Sequence, residues 1–322
     1  MISESLARGL KERYFFELQE GALKSIMVML NGMKIYSGRN KFDQWAESAK
    51  IKLGPNVIST YHGGSKRRQY FAFEFLDYLP EREFNSWMEK SVYGRKIVIR
   101  EGSFGNNSTV SRYGVSEHAI LRIFQRLDLD VYAVGYSQRK ILSELSLIPL
   151  WSNYWLSILD AVIDGDLEKY KDITIYIPSE NGLFLANFDV RTYDIEVRTF
   201  VNDGLLTSDQ KYIKEALNLI GQAINPSALT FASNLTVHLD PSIVFVRLML
   251  SSLIFTNEAI NSIVKHMTLK IDDDKLRLYL RNKIFNAIKE DGKYMDADDF
   301  EYLKLHSTRD FSNYCVKKFK VE

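Results

Sequence analysis

Three consecutive segments with the residue pattern of β-strands lie between residues 172 and 201. They read DITIYIP (172–178), GLFLANFD (182–189) and TYDIEVRTFV (192–201), and only the tight connections SENG and VR join them. Connections this short join neighbouring antiparallel strands, because a parallel crossover needs a dozen or more residues. The pattern therefore predicts an antiparallel meander, which any fold of this chain must accommodate.

A second group of strands is predicted earlier in the chain. Residues 57–80 alternate like a β-hairpin with HGGSK as its turn, a strand follows at 95–102, and SFGNNSTVSRYG (103–114) is predicted to be a polar loop. Helical spacing of apolar residues covers most of the rest. These helices are expected at 3–37 with a break at Gly21, 42–54, 138–147, 148–166, 209–224 and over most of 241–322.

Strands in two stretches, with helices before, between and after them, are typical of an α+β fold. We expect an antiparallel sheet with flanking helices and a mainly helical C-terminal region. The changes of pattern suggest three regions: 1–105 with helices and a hairpin, 106–225 with a helix and the meander, and 226–322 with helices.

The composition excludes some classes of protein and partner. A formal net charge of +1 gives no global attraction to nucleic acid or membrane, so such a partner needs a local patch. Cys315 is the single cysteine, which excludes an internal disulfide and a cysteine-based metal cluster. The N-terminus lacks the apolar core of a signal peptide, and the apolar run at 241–255 is too short to span a bilayer. We expect a cytoplasmic protein with no membrane partner.

The segment VSEHAILRIFQRL (115–127) predicts a capped amphipathic helix with an unusual polar side. Ser116 suits the N-cap position and Glu117 the first turn. At about 100° per residue, a single sector of about 100° contains four polar side chains and no acid. These are His118, Arg122, Gln125 and Arg126.

Two interpretations of this sector remain open. Positive charges four residues apart on a helix repel each other unless something anionic lies across them. Phosphate fits that need, because the arginine fork binds it bidentately. Alternatively, the sector pairs with carboxylates from another element, of which the chain has 41.

The last predicted strand carries a second set of candidates. Alternation predicts that Ile195, Val197, Thr199 and Val201 share one face, and that Glu196, Arg198 and Phe200 share the other. Thr199 is then the polar member of an aliphatic face. Its hydroxyl suits a phosphate oxygen, although threonine is also favoured in strands for its shape alone.

Motifs for common cofactors are missing from the sequence. It contains no phosphate-binding loop ending in Lys-Ser or Lys-Thr and no Gly-x-Ser-x-Gly elbow, and no histidine has a second His or Cys at metal-ligand spacing. We therefore predict neither a cofactor nor a metal site.

The order of SEHAILRIFQR, a helix, and then NGLFLANFD and YDIEVRTF resembles the barnase-EndoU-colicin-RelE group of metal-independent ribonuclease toxin domains. The resemblance covers residues 108–215. Many members have a His-Ala-x-x-Arg helix followed by an antiparallel sheet whose late strand carries Thr or Ser. It implies a bacterial, toxin-like nuclease, a hydrolase in which His118, Arg122 and Thr199 are catalytic and Arg198 lies in the same site.

If the resemblance holds, the residue types define the mechanism. Cleavage of RNA without a metal needs a base, an acid and cations that stabilise the phosphorane. An imidazole exchanges protons near neutral pH, so His118 can act as acid or base. Arg122, Arg126 or Arg198 would stabilise the extra negative charge, Thr199 would orient a non-bridging oxygen, and Gln125 would contact the substrate. The product would be a 2′,3′-cyclic phosphate.

A non-enzymatic binding module is the alternative class. In HGGSKRRQYFAF (62–73), Lys66, Arg67 and Arg68 precede aromatic residues, a combination that can follow a nucleic-acid backbone and stack bases. A solvated turn before a buried strand explains the same residues. A protein partner that docks on the helices of 225–322 is a third option.

Overall fold

The computed structural model describes residues 2–19, 22–54, 57–65, 68–78, 91–101, 108–127, 129, 134–162, 173–189, 193–224 and 257–291. Its helices are α1 (Glu4–Gln19), α2 (Ala22–Asn31), α3 (Arg39–Leu53), α4 (Glu117–Arg126), α5 (Val134–Leu145), α6 (Ile148–Val162), α7 (Ser208–Ile224), α8 (Asn257–Met267) and α9 (Asp274–Asp291). Its strands are β1 (Ser59–Ser65), β2 (Arg68–Tyr78), β3 (Ser91–Arg100), β4 (Ser108–Ser116), β5 (Ile173–Pro178), β6 (Gly182–Asp189) and β7 (Asp194–Asn202).

These elements confirm the α+β class, and the chain folds into two compact units. The first contains residues 1–156 and 179–206, and the second contains 157–178 and 207–322. The predicted boundaries near 105 and 225 stay predictions.

The first unit contains a mixed sheet in which six strands lie in the order β1-β2-β3-β4-β7-β6. Neighbours are antiparallel except for β4 and β7, which run parallel with Gly114 opposite Glu196 and Val115 opposite Val197. The β6–β7 pair confirms that part of the predicted meander. The parallel pair was not predicted, because it joins segments about eighty residues apart in the sequence.

Two local predictions were wrong. Residues 108–114 form most of β4 instead of a polar loop, because β3 on one side and β7 on the other supply hydrogen-bond partners that the polar sequence does not reveal. The residues His62, Gly63 and Gly64, predicted to lie in a turn, belong to β1 and pair with β2 in register. An edge strand can carry such residues because only one of its sides is paired.

One face of the β1–β3 region forms an aromatic core against α2 and α3. Phe71, Phe73 and Phe75 occupy alternate positions of β2, are at most 1% exposed, and their rings follow one another at centroid distances of 6.0 and 5.9 Å. Trp45 from α3 meets the ring of Phe71 edge-on at 5.9 Å. The phenylalanines at every second position of β2 therefore mark the strand face that forms this core.

In the part of the second unit that the structure describes, β5 lies with helices α7, α8 and α9. Both sides of β5 are buried, and α7 and α8 pack against it. Helices α8 and α9 also pack together, and Arg281 donates from Nε to the hydroxyl of the buried Thr268 at 2.9 Å. None of the described helices is long and apolar enough to cross a membrane. The run at 241–255, residues 292–322 and Cys315 lie outside the described residues.

Candidate phosphate-binding site on α4 and β7

Ser116 precedes the first residue of α4, and its hydroxyl both accepts and donates a hydrogen bond, which confirms the predicted N-cap. Ser116 is fully buried, and its Oγ accepts a hydrogen bond from the Ala119 amide at 3.1 Å. The same hydroxyl donates to the Arg198 carbonyl of β7 at 3.1 Å. Satisfying an orphan amide stabilises the helix start, and the second bond fixes that start on β7.

The last turn of α4 is fixed to the same strand by Arg126. Its guanidinium NH1 donates to the Phe200 carbonyl. Strand β4 pairs with β7 only as far as Val115 and Val197, so the two carbonyls that α4 binds lie beyond the end of that pairing. Helix α4 thus continues along the edge of β7 where β4 stops. Arg126, predicted to contact substrate, is a helix-to-strand link in this structure.

Two opposite sides of α4 contact other elements of the same chain. Glu117 pairs with Lys11 of α1, and it lies nine positions before Arg126, which places the two residues about 180° apart on the helix. Of the two remaining sides, one is buried by Ile120, Ile123 and Phe124. The other side carries His118, Arg122 and Gln125, which are all partly exposed.

Arg122 connects the three polar side chains of that side. Its Nε donates to Nε2 of His118 at 3.2 Å, and its NH1 donates to the amide oxygen of Gln125. An imidazole nitrogen that accepts a hydrogen bond carries no proton, so this contact uses the tautomer of His118 with its hydrogen on Nδ1. We call this trio, His118, Arg122 and Gln125, the α4 polar face.

No carboxylate of the described residues forms an ion pair with Arg122 or Arg126. Burial, and secondarily the positive charge of Arg122, lower the pKa of the Arg126 guanidinium. The positive charges of Arg122 and Arg126 thus repel each other, and a bound anion would reduce this repulsion.

A β-bulge in β7 changes which side chains share a face. Val197 pairs with Ala186 and Thr199 with Leu185, so Arg198 is an extra residue with no partner of its own in β6. The burial of β7 follows this shift: Ile195, Val197 and Phe200 are buried, whereas Glu196, Arg198 and Thr199 are partly exposed. The predicted faces are confirmed from Ile195 to Arg198. They were wrong after the bulge, where Thr199 leaves the aliphatic face and Phe200 joins it.

The partly exposed face of β7 contains an ion pair. Arg198 NH2 lies 2.9 Å from Oε2 of Glu196. The Nε of Arg198 is buried and has no hydrogen-bond partner among the described residues. A buried donor without an acceptor costs free energy, so this Nε is an unsatisfied hydrogen-bond donor within the strand region.

The predicted site residues are only partly brought together. His118, Arg122 and Gln125 form one hydrogen-bonded group, and Arg198 and Thr199 lie on the partly exposed side of the strand that α4 follows. Within the described part of the chain, no hydrogen bond joins Thr199 to the α4 polar face. Lys66 and Arg67 lie outside the described residues. Arg68 begins β2 opposite Ser65, and its side chain is also outside them.

Sequence reasoning missed the role of Glu196, which partners Arg198. The i, i+2 spacing of the two residues is the local signal, since a regular strand directs both to one face. No local signal could have revealed the bulge beside them. In the described ranges, no three His, Cys, Asp or Glu side chains are grouped so that they could hold a metal ion.

Comparison with protein-family models, with curated proteins and with solved structures finds no match for this chain. The resemblance to the barnase-EndoU-colicin-RelE group therefore stays a prediction that rests on residues 108–215.

Proposed function

We propose that the α4 polar face binds a phosphate group of RNA. The observation that carries this proposal is the environment of Arg122. Neither of its hydrogen-bond partners is a carboxylate, and its side chain is partly exposed. Nε and NH1 each use one hydrogen on these partners, which leaves three donors of the planar fork for a ligand. A phosphate accepts two parallel bonds from such a fork.

Neighbouring groups support the same ligand. The Nδ1–H of His118 is a further donor, and Gln125 holds the guanidinium in place from the C-terminal side. Arg198 adds a cation with an unsatisfied Nε on the strand beside α4, although Glu196 offsets part of its charge. RNA is proposed over a free anion because the resemblance to ribonuclease domains includes this helix.

Cleavage of the bound RNA is a second candidate, favoured by the position of His118. In the protein alone, the lone pair of Nε2 accepts from Arg122, so it is occupied. A phosphate that takes over the Nε donor of Arg122 would release that lone pair. His118 could then accept the proton of a 2′-hydroxyl while its oxygen attacks the phosphorus, and return that proton to the 5′-oxygen as the P–O5′ bond breaks. Arg122 would stabilise the negative charge on the phosphorane between the two steps.

Two variants test binding and cleavage separately. Arg122→Gln should weaken the binding of a single-stranded RNA oligonucleotide about tenfold at constant salt, because it removes one charge-assisted phosphate contact. Arg39→Gln is the matched control, since Arg39 is an exposed arginine of α3 that faces Asp43 at 3.9 Å. Equal affinities for the wild type and Arg122→Gln would refute phosphate binding on α4.

Cleavage is measured with the same RNA in EDTA, with detection of a 2′,3′-cyclic phosphate end. We expect His118→Ala to abolish cleavage while it retains binding. Wild-type protein that binds RNA without cleaving it would leave the non-enzymatic module as the function. Binding of a protein partner with no affinity for RNA would contradict both proposals.

A further inference from the structure

Tyr193, the residue before β7, adopts a backbone conformation that tyrosine rarely takes. Its φ is 55°, in the left-handed region that favours glycine and asparagine, and among the described residues it is the one non-glycine with a positive φ. A bulky residue there is strained. Such strain persists only where the surroundings hold it, and it clusters at binding sites.

The Tyr193 ring is half-buried, and two side chains contact it. Phe188 meets it edge-on, with centroids 5.8 Å apart and an interplanar angle of 88°. The guanidinium carbon of Arg112 lies 6.0 Å from the ring centroid, within the range of a cation–π contact. Arg112 is exposed, and no carboxylate of the described residues pairs with it. An aromatic ring and an arginine are thus combined at the surface.

This pair lies at the other end of the strand that carries Arg198 and Thr199. Arg112 lies on β4 two residues before Gly114, which is opposite Glu196 in the β4–β7 pair. Six residues of strand separate Tyr193 from Thr199, which is a distance of about 20 Å. A ligand that reaches both places must be an extended chain.

We propose that Tyr193 and Arg112 form a base-stacking subsite for single-stranded RNA whose phosphate is held by the α4 polar face. This inference rests on the proposed function. Nucleobases stack on aromatic rings and on guanidinium planes without a strong preference for sequence. The subsite thus adds affinity for the base, whereas Arg122 adds affinity for the phosphate.

Two probes separate these contributions: a single-stranded RNA of about eight nucleotides, a typical site size, and inorganic polyphosphate, which has no base. Tyr193→Asn removes the ring with a residue that tolerates positive φ, so the turn is retained. It should weaken binding of the RNA about tenfold and leave binding of polyphosphate unchanged. Tyr193→Phe, which keeps the ring, should bind both probes like the wild type.

Three results would overturn the subsite. These are an unchanged RNA affinity of Tyr193→Asn, an equal loss for both probes, or a loss in Tyr193→Phe as large as in Tyr193→Asn. If Arg122→Gln still weakens both probes in those cases, the proposed phosphate site stands and only the stacking subsite fails. If the wild type binds neither probe, both proposals fail together.

Discussion

Strands β2 and β7 of the sheet in the first unit differ in how regularly buried and exposed side chains alternate. Along β2, regular alternation directs Phe71, Phe73 and Phe75 into one aromatic core that α2 and α3 close. Along β7, the extra residue Arg198 interrupts the alternation, so Thr199 leaves the buried face and Phe200 enters it. A single inserted residue is therefore enough to change part of a core strand into a polar surface.

The helices that pack beside these strands, α3 beside β2 and α4 beside β7, also differ in the contacts they make. Trp45 and Phe42 of α3 insert apolar side chains into the β2 core. Helix α4 contacts β7 through polar groups at both of its ends, Ser116 and Arg126, and these bind backbone carbonyls. The β2 region is thus held by buried apolar area. Helix α4 also buries Ile120, Ile123 and Phe124, and it adds directional hydrogen bonds to β7 that set its position.

The largest expected effect is on the aromatic core. Phe73→Ala removes a ring that is 1% exposed and contacts two other rings, so it should lower the free energy of unfolding by about 3–5 kcal/mol. Urea denaturation monitored by circular dichroism gives this value. A loss below about 1 kcal/mol would show that the core at this end is not the main source of stability.

The link at the C-terminal end of α4 should matter less. Arg126→Gln removes the charged donor to the Phe200 carbonyl and should lower the free energy of unfolding by about 1–2 kcal/mol. This value is smaller than for a fully buried bond because Arg126 is partly exposed. The same denaturation experiment measures it. An unchanged midpoint would indicate that Arg126 does not hold α4 on β7 and is available to a ligand.

The link at the N-terminal end should have a slightly smaller effect. Ser116→Ala loses the hydrogen bond that caps the Ala119 amide and the bond to the Arg198 carbonyl. We expect the free energy of unfolding to fall by about 1 kcal/mol. Ser116→Thr keeps a hydroxyl and is the conservative control. If Ser116→Ala and Ser116→Thr are equally destabilised, steric fit rather than hydrogen bonding explains the position of Ser116.

The features that depend on local sequence were predicted well. The helix at α4, its Ser116 cap and the strands β6 and β7 follow from spacing and alternation over about ten residues, and the structure contains them. The hydrogen-bonded trio of His118, Arg122 and Gln125 is likewise a consequence of helical i, i+3 and i, i+4 positions.

The features that depend on distant partners were not predicted. Strand β4 was interpreted as a loop because its residues do not alternate, and its neighbours β3 and β7 determine its conformation. The bulge at Arg198 is a mismatch between β6 and β7, so β7 alone gives no sign of it. The role of Arg126 was missed because its partner is a backbone carbonyl, which every residue has.

Among these positions, Arg122 should have the smallest effect on stability. Arg122→Gln replaces a partly exposed side chain and should change the free energy of unfolding by no more than about 0.5 kcal/mol. This expectation separates the α4 polar face, which is the proposed binding side, from the sides that hold the helix in place. A loss similar to that of Arg126→Gln would assign Arg122 to the structural links instead.

The salt dependence of RNA binding tests the central claim most directly. For single strands, the slope of log K against log salt is about −0.7 for each phosphate that the protein neutralises. The account predicts that Arg122→Gln makes this slope shallower by about 0.7, whereas Arg39→Gln leaves it unchanged. Identical slopes for the wild type and Arg122→Gln would contradict the claim that Arg122 contacts an RNA phosphate.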